Sequence, residues 1–179
     1  MTEYDAVVYD LDGTLVDLDV DWAATARDVR EVYRAAGVEP PGDGLWDLLA
    51  AAPEAGLGEE VEATIAARER EGARTSPRLP RADELLALSV PAGVCSLNCE
   101  AACRIALDRH DLLSTVDVVV GRDTVTTRKP HPEPLIEAVT RLGARPERAL
   151  FVGDSARDEE TAQRAGTDFE YVDGEPSGY

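Results

Sequence analysis

The sequence predicts an α/β fold: a Rossmann-like parallel sheet with helices on both faces, plus a small all-helical segment inserted after the first strand. Three observations carry this expectation. An apolar run, DAVVYD at 5–10, opens the chain in the manner of a strand buried on both faces. Residues 17–82 then show helical periodicity. From residue 83 onward strand-like and helix-like stretches alternate, the rhythm of βαβ units. The expected organisation is one α/β unit, built from residues 1–16 and 83–179, with residues 17–82 as a helical insertion.

Taken in order, the first strand is followed by a polar, glycine-containing stretch, Leu11-Asp12-Gly13-Thr14. In the insertion, Trp22, Ala26, Val29, Tyr33 and Ala36 follow one another at steps of 4, 3, 4 and 3, one apolar stripe that Gly37 ends. Pro40-Pro41-Gly42 breaks the chain. A short helix is expected over 45–51 and another over 58–70, with Leu57, Val61 and Ile65 on one side. Residues 72–80 hold Pro77 and Pro80 and read as a linker. A helix over 83–89 leads to a strand at 92–96, then a helix at 99–109 and a strand at 116–120. A helix over 132–142, with proline near its first turn, precedes a strand at 149–153, a helix at 158–165 and a last strand at 169–172.

Composition narrows the function. The 179 residues carry 36 acidic and 18 basic groups, a net charge of -18. That balance argues against nucleic acid, whose phosphates need a basic face, and against docking on an anionic membrane. No apolar run approaches the roughly 18 residues of a transmembrane helix, and the acidic N-terminus lacks the positive region of a signal peptide. A soluble cytoplasmic protein is expected. Seventeen of the basic residues are arginine, and Lys129 is the single lysine. An acid-rich, lysine-poor chain suits a salt-rich, halophilic cytoplasm, because the Debye length falls to about 3 Å at 1 M salt and surface repulsion is screened. Cys95, Cys99 and Cys103 are odd in number and closely spaced, which fits buried thiols better than a disulfide framework.

The chemistry-bearing residues fall just past the expected strand ends. Asp10 and Asp12 follow the first strand, Ser96 and Asn98 the second, and Asp154 and Asp158 the fourth, while Lys129 lies in the loop after the third. In parallel sheets ligands bind beyond the carboxyl ends of the strands, so these groups converge on one edge. Four packed carboxylates raise one another's pKa, and a divalent cation relieves the repulsion. Mg²⁺ favours carboxylate oxygens together with water and substrate phosphate. A carboxylate nucleophile, a metal and a lysine suit phosphoryl transfer. An EF-hand loop starting at Asp17 is excluded: Trp22 stands where glycine is needed and Asp28 where glutamate is needed.

Four segments in order resemble the motifs of the haloacid dehalogenase-like (HAD) superfamily: DLDGTLVD at 10–17, CSLN at 95–98, the lysine of RKPHPEP at 128–134, and VGDSARD at 152–158. Residues 117–166 resemble the phosphoglycolate phosphatase-like branch. The resemblance implies an α/β hydrolase that cleaves a small phosphorylated metabolite. It implies Asp10 as the nucleophile and Asp12 as the general acid and base. It implies Mg²⁺ held by the Asp10 carboxylate, the Asp12 backbone carbonyl and Asp154. Ser96 would bind the phosphoryl group with Asn98 nearby, Gly13 and Thr14 would shape the phosphate turn, and Lys129 would pair with the phosphate and Asp10. Asp158 would orient the metal site or Lys129 from behind. Residues 17–82 would form the family's helical cap, which covers the site and chooses the leaving group.

Within the superfamily, Asp12 and Asp154 point away from a dehalogenase, and a cap without lysine points away from Schiff-base phosphonate cleavage. A sugar-phosphate mutase, or a phosphate- or partner-binding domain with little turnover, shares the four motifs. Arg68, Arg70, Arg74, Arg78 and Arg81 read first as a solvated face and linker paired with Glu69 and Glu71, and second as an attractant for an anionic substrate. His110 and His131 read as bystanders.

Overall fold

A computed structural model describes residues 4–173. It holds five strands, β1 (Ala6–Tyr9), β2 (Ala92–Cys95), β3 (Val118–Val120), β4 (Ala149–Gly153) and β5 (Asp168–Tyr171). All pair in parallel, in the order β3-β2-β1-β4-β5. The chain steps outward from β1 to β3 and then returns to the far side of β1 with β4. The strand order therefore reverses between β1 and β4, the place where a crevice opens in such sheets.

Strand alternation divides the core. Val7, Tyr9, Val94, Val119 and Val152 enter one apolar cluster with Ala102, Cys103, Ala106 and Leu107 of α5 (Glu100–Arg109) and with Ala82 and Leu85 of α4 (Arg81–Leu86). Val8, Cys95, Val120 and Phe151 enter another, with Leu135, Ala138 and Val139 of α6 (Glu133–Arg141) and Ala162 and Ala165 of α7 (Ala156–Ala165). Helices thus cover both faces of the sheet, and the central strands β1 and β2 are buried throughout, as the apolar runs predict.

The insertion is helical as expected: α1 (Trp22–Ala35), α2 (Leu45–Ala51) and α3 (Gly58–Ala73). The stripe of α1 buries Ala26, Val29 and Tyr33 against Leu45, Leu48, Val61 and Ile65, a core of its own. Helix α3 outruns its expected end at residue 70, because its second half gains tertiary partners: Ala66 and Ala73 pack into the sheet-side cluster. Helix α7 begins at Ala156 instead of 158, because Ser155 and Asp158 form a capping box. All three cysteines are free and buried. No helix among the described residues is long and apolar enough to cross a membrane.

Candidate active site

The carboxyl ends of the strands bring the expected residues together. The Asp10 N–H donates to the Val152 carbonyl (2.8 Å), extending the β1–β4 ladder one step and setting Asp10 beside the end of β4. After it the chain turns sharply: the N–H groups of Leu15 and Val16 donate to the Leu11 carbonyl, and Gly13 adopts φ 81°. A Cβ at Gly13 would collide with the Asp154 carboxylate, so only glycine lets the two loops close on each other. Asp12 accepts the Leu18 N–H on Oδ1 (2.8 Å). Thr14 is buried behind this turn, and its hydroxyl has no hydrogen-bond partner among the described residues.

Lys129 sits at the centre. It is 4% exposed, and its ammonium donates to Asp10 Oδ1 (2.9 Å), Asp158 Oδ1 (2.5 Å) and the Cys95 carbonyl (3.1 Å). One cation thereby ties the ends of β1 and β2 to the first turn of α7. The other oxygen of Asp158 accepts the Ser155 hydroxyl (2.7 Å) and its N–H (3.3 Å). A Cβ at Gly153 would lie 2.7 Å from the Asp158 Cβ, so glycine there lets α7 start directly against β4.

The carboxylates feel this crowding. Burial pushes Asp10 up to about 8, further than the neighbouring Lys129 pulls it down, and Asp158 adds to the rise. Burial raises Asp12 to about 6 against the stabilising Leu18 N–H. Burial and then Asp158 raise Asp154. Burial alone would lower Lys129, but Asp10 and Asp158 hold it above the ordinary lysine range.

The donor set fits a divalent cation. Carboxylate oxygens of Asp10, Asp154 and Asp158 lie within 4.8 Å of one another. Both oxygens of Asp158 are already engaged by Lys129 and Ser155. Asp10 receives the lysine on Oδ1 alone, and Asp154 forms no ion pair among the described residues. Asp10 and Asp154 are therefore the groups with coordination left to offer.

A cavity of about 510 Å³ opens over these groups, within the usual range for small-molecule sites. Its floor is Asp10, Asp12, Asn98, Lys129, Asp154 and Asp158. The insertion supplies Trp22 and Trp46, whose ring centroids are 6.2 Å apart, and the Arg157 guanidinium lies 5.9 Å from the Trp46 centroid. Ser96 does not line the cavity; it is buried behind Asn98, with its hydroxyl donating to Asn98 Oδ1 (2.9 Å).

Several residues here escape sequence reasoning. Both tryptophans of the chain face the cavity, a cue in an otherwise tryptophan-free sequence. Arg157 lies inside the fourth motif, beside the more familiar aspartates. Glu69 corrects an expectation: it is no surface partner of the arginine cluster but a fully buried carboxylate bonded to Arg122, Asn98 and the Cys99 N–H. Arg68 pairs instead with Asp28, Arg78 with Asp83, and Arg81 with Glu84 and Glu170. None of these five arginines lines the cavity.

The chain is also similar to known proteins in sequence and fold. The profile of the haloacid dehalogenase-like hydrolases matches residues 82–172. A phosphoglycolate phosphatase of Rhodospirillum rubrum is 33% identical over 183 residues, spanning 90% of this chain and 76% of that protein. The phosphoglycolate phosphatase of Salmonella typhimurium is 48% identical over 60 residues, 34% of this chain and only 24% of that protein. A solved HAD-superfamily hydrolase of subfamily IA, variant 1, from Geobacter sulfurreducens superposes with a TM-score of 0.64 at 27% identity, covering 94% of this chain and 89% of that one.

Proposed function

The chain belongs to the haloacid dehalogenase-like hydrolases, and we propose that within this family it is a Mg²⁺-dependent phosphomonoesterase acting on a small phosphorylated metabolite. The observation that carries the reading is the buried Lys129 ammonium shared by Asp10 and Asp158 on the floor of a cavity that Asp12 and Asp154 also line.

In this reading Asp10 attacks phosphorus through a carboxylate oxygen, and the bond from phosphorus to the ester oxygen breaks. Asp12, raised to about 6, delivers its proton to that departing oxygen. The resulting Asp12 carboxylate then takes a proton from water as its oxygen attacks the aspartyl-phosphate, releasing phosphate and restoring Asp10. Lys129 holds Asp10 in place and offsets charge on the transferring group. Asp10, Asp154 and the Asp12 backbone carbonyl would hold Mg²⁺, which when bound would further neutralise phosphate charge. The Gly13-Thr14 turn, Ser96 and Asn98 frame the phosphoryl end. Trp22, Trp46 and Arg157 frame the leaving group, with the insertion as a cap.

The test is phosphate release from a panel of phosphorylated metabolites, with and without Mg²⁺, in about 2 M KCl to screen the net charge. Turnover that needs Mg²⁺ and vanishes in Asp10→Asn while the circular dichroism stays native is expected. No turnover across the panel, or retained turnover in Asp10→Asn, refutes the reading.

A further inference from the structure

Glu69 is 0% exposed, lies on α3 of the insertion, and belongs to none of the four motifs. A buried carboxylate is costly unless every lone pair has a partner, and here each does. Oε1 accepts Asn98 Nδ2 (3.1 Å) and Arg122 (2.7 Å); Oε2 accepts the Cys99 N–H (3.1 Å) and Arg122 (3.0 Å). Arg122, just past β3, also donates to the Leu97 carbonyl (2.7 Å) and to Glu62 of α3 (2.6 and 3.0 Å). The loop from Ser96 to Cys99 is thus gripped at three successive residues by one buried ion pair.

The grip has a direction. A carboxylate only accepts hydrogen bonds, so Glu69 compels Asn98 to present its NH₂ end and to turn its Oδ1 toward Ser96. The Ser96 hydroxyl donates to that oxygen (2.9 Å) and accepts the Asn98 N–H (3.1 Å). Glu69 therefore determines the orientation of the Asn98 amide and, through it, of the Ser96 hydroxyl. Because Glu69 comes from the insertion, the insertion contributes directly to holding this loop, beside the backbone bonds from Ser96 to Val120 and from Arg122 to Asn98.

We propose that Glu69 is a positioning residue for catalysis: through Asn98 and the Cys99 N–H it sets the loop that carries Ser96 and brings Asn98 to the cavity, and it makes turnover depend on docking of α3. The proposal rests on the phosphatase reading above. It separates Glu69 from Glu62, which shares the Arg122 guanidinium but touches no residue of the loop.

Steady-state kinetics with an aryl phosphate, beside thermal melts, test it. Glu69→Asp keeps the charge against Arg122 but withdraws the carboxylate from Asn98, and Glu69→Gln keeps the reach but loses the charge. Both are expected to lower kcat by on the order of tenfold, the scale on which supporting residues act, with the Mg²⁺ activation constant unchanged. In an Asn98→Ala background Glu69→Asp should cost less than about twofold more, because the path through Asn98 is already cut. Glu62→Gln should lower the melting temperature while leaving kcat within about twofold. If Glu69→Gln does not fold, Glu69→Asp decides alone. The proposal is overturned by a folded Glu69→Asp with unaltered kcat, by losses that multiply in the double variant, or by Glu62→Gln lowering kcat as much as Glu69→Asp. An inactive wild-type enzyme would refute the phosphatase reading and this proposal with it; wild-type turnover that Glu69→Asp leaves intact refutes the proposal alone.

Discussion

Replacing Lys129 with methionine keeps most of the side-chain volume and removes the ammonium. Three hydrogen bonds vanish, and the carboxylates of Asp10 and Asp158 are left together in a buried site without their shared cation. Breaking a buried ion pair from one side costs about 3–5 kcal/mol, against a total stability of about 5–15 kcal/mol for a domain. At about 1.4 kcal/mol per tenfold, the folding equilibrium falls by roughly two to four powers of ten. The loss must depend on pH, with a definite sign. Asp10 already stands at about 8 in the fold with Lys129 present, and removing the lysine raises it further. In the unfolded chain a carboxyl titrates near about 4. The folded variant therefore holds a proton that the unfolded chain gives up. The Asp10 contribution to stability is fully present below about pH 4 and is lost as pH climbs beyond about 8 toward the raised folded value. Urea unfolding of metal-free protein in concentrated KCl, at about pH 5 and about pH 8, reads this directly. The deficit of Lys129→Met relative to wild type should be larger at the higher pH, and Mg²⁺ should narrow it by ligating the freed carboxylates. A deficit below about 1 kcal/mol, or one equal at both pH values, refutes the assignment of Lys129 as the cation that makes this cluster tolerable.

Three further outcomes are expected. Mg²⁺ affinity should rise between about pH 6 and about pH 8, with protons released to the buffer, because Asp10 at about 8 and the raised Asp154 must ionise to bind; calorimetry in two buffers of different ionisation enthalpy checks it. Melting temperature should climb as KCl goes from about 0.1 to about 2 M, since a charge of -18 repels itself in dilute buffer; a flat or falling curve removes the salt-rich setting. Arg157→Gln and Trp46→Ala should raise KM severalfold more than they lower kcat, as both line the cavity and, in the proposed reading, frame the leaving group; equal effects on both parameters count against that role.

How far the site was legible depends on where each residue draws its partners. The expected α2 boundaries match the observed Leu45–Ala51 and those of β4 match Ala149–Gly153, because local apolar pattern and breaker residues define both. Asp10, Asp154 and Lys129 were legible because strand-end placement plus parallel topology forces convergence at the switch between β1 and β4. Glu69 was not. On a helix flanked by Arg68 and Arg70 it has the pattern of a solvated face, and its burial depends on Arg122, which arrives from the loop after β3. No periodicity links residues 53 apart in sequence. Arg81 is similar: its guanidinium reaches the carbonyls of Tyr171 and Val172, at the far end of the chain.

The same contrast explains the composition. The chain uses seventeen arginines and one lysine, and two of these cations are essentially buried in the site region, Arg122 and Lys129. Arg122 must satisfy Glu62, Glu69 and the Leu97 carbonyl at once, spread around a plane, and a guanidinium fork suits that geometry. Lys129 must fit between Asp10, Asp158 and the Cys95 carbonyl with the Phe151 ring 5.4 Å beneath, where only a compact charge has room. A surface purged of lysine can therefore keep its charge with arginine, whereas this position cannot. Lys129→Arg should then lose turnover by a larger factor than it loses folding stability, because the wider head group must displace Asp10 from the end of β1. Equal factors for the two would mean that position 129 is held by packing and not by the chemistry at Asp10.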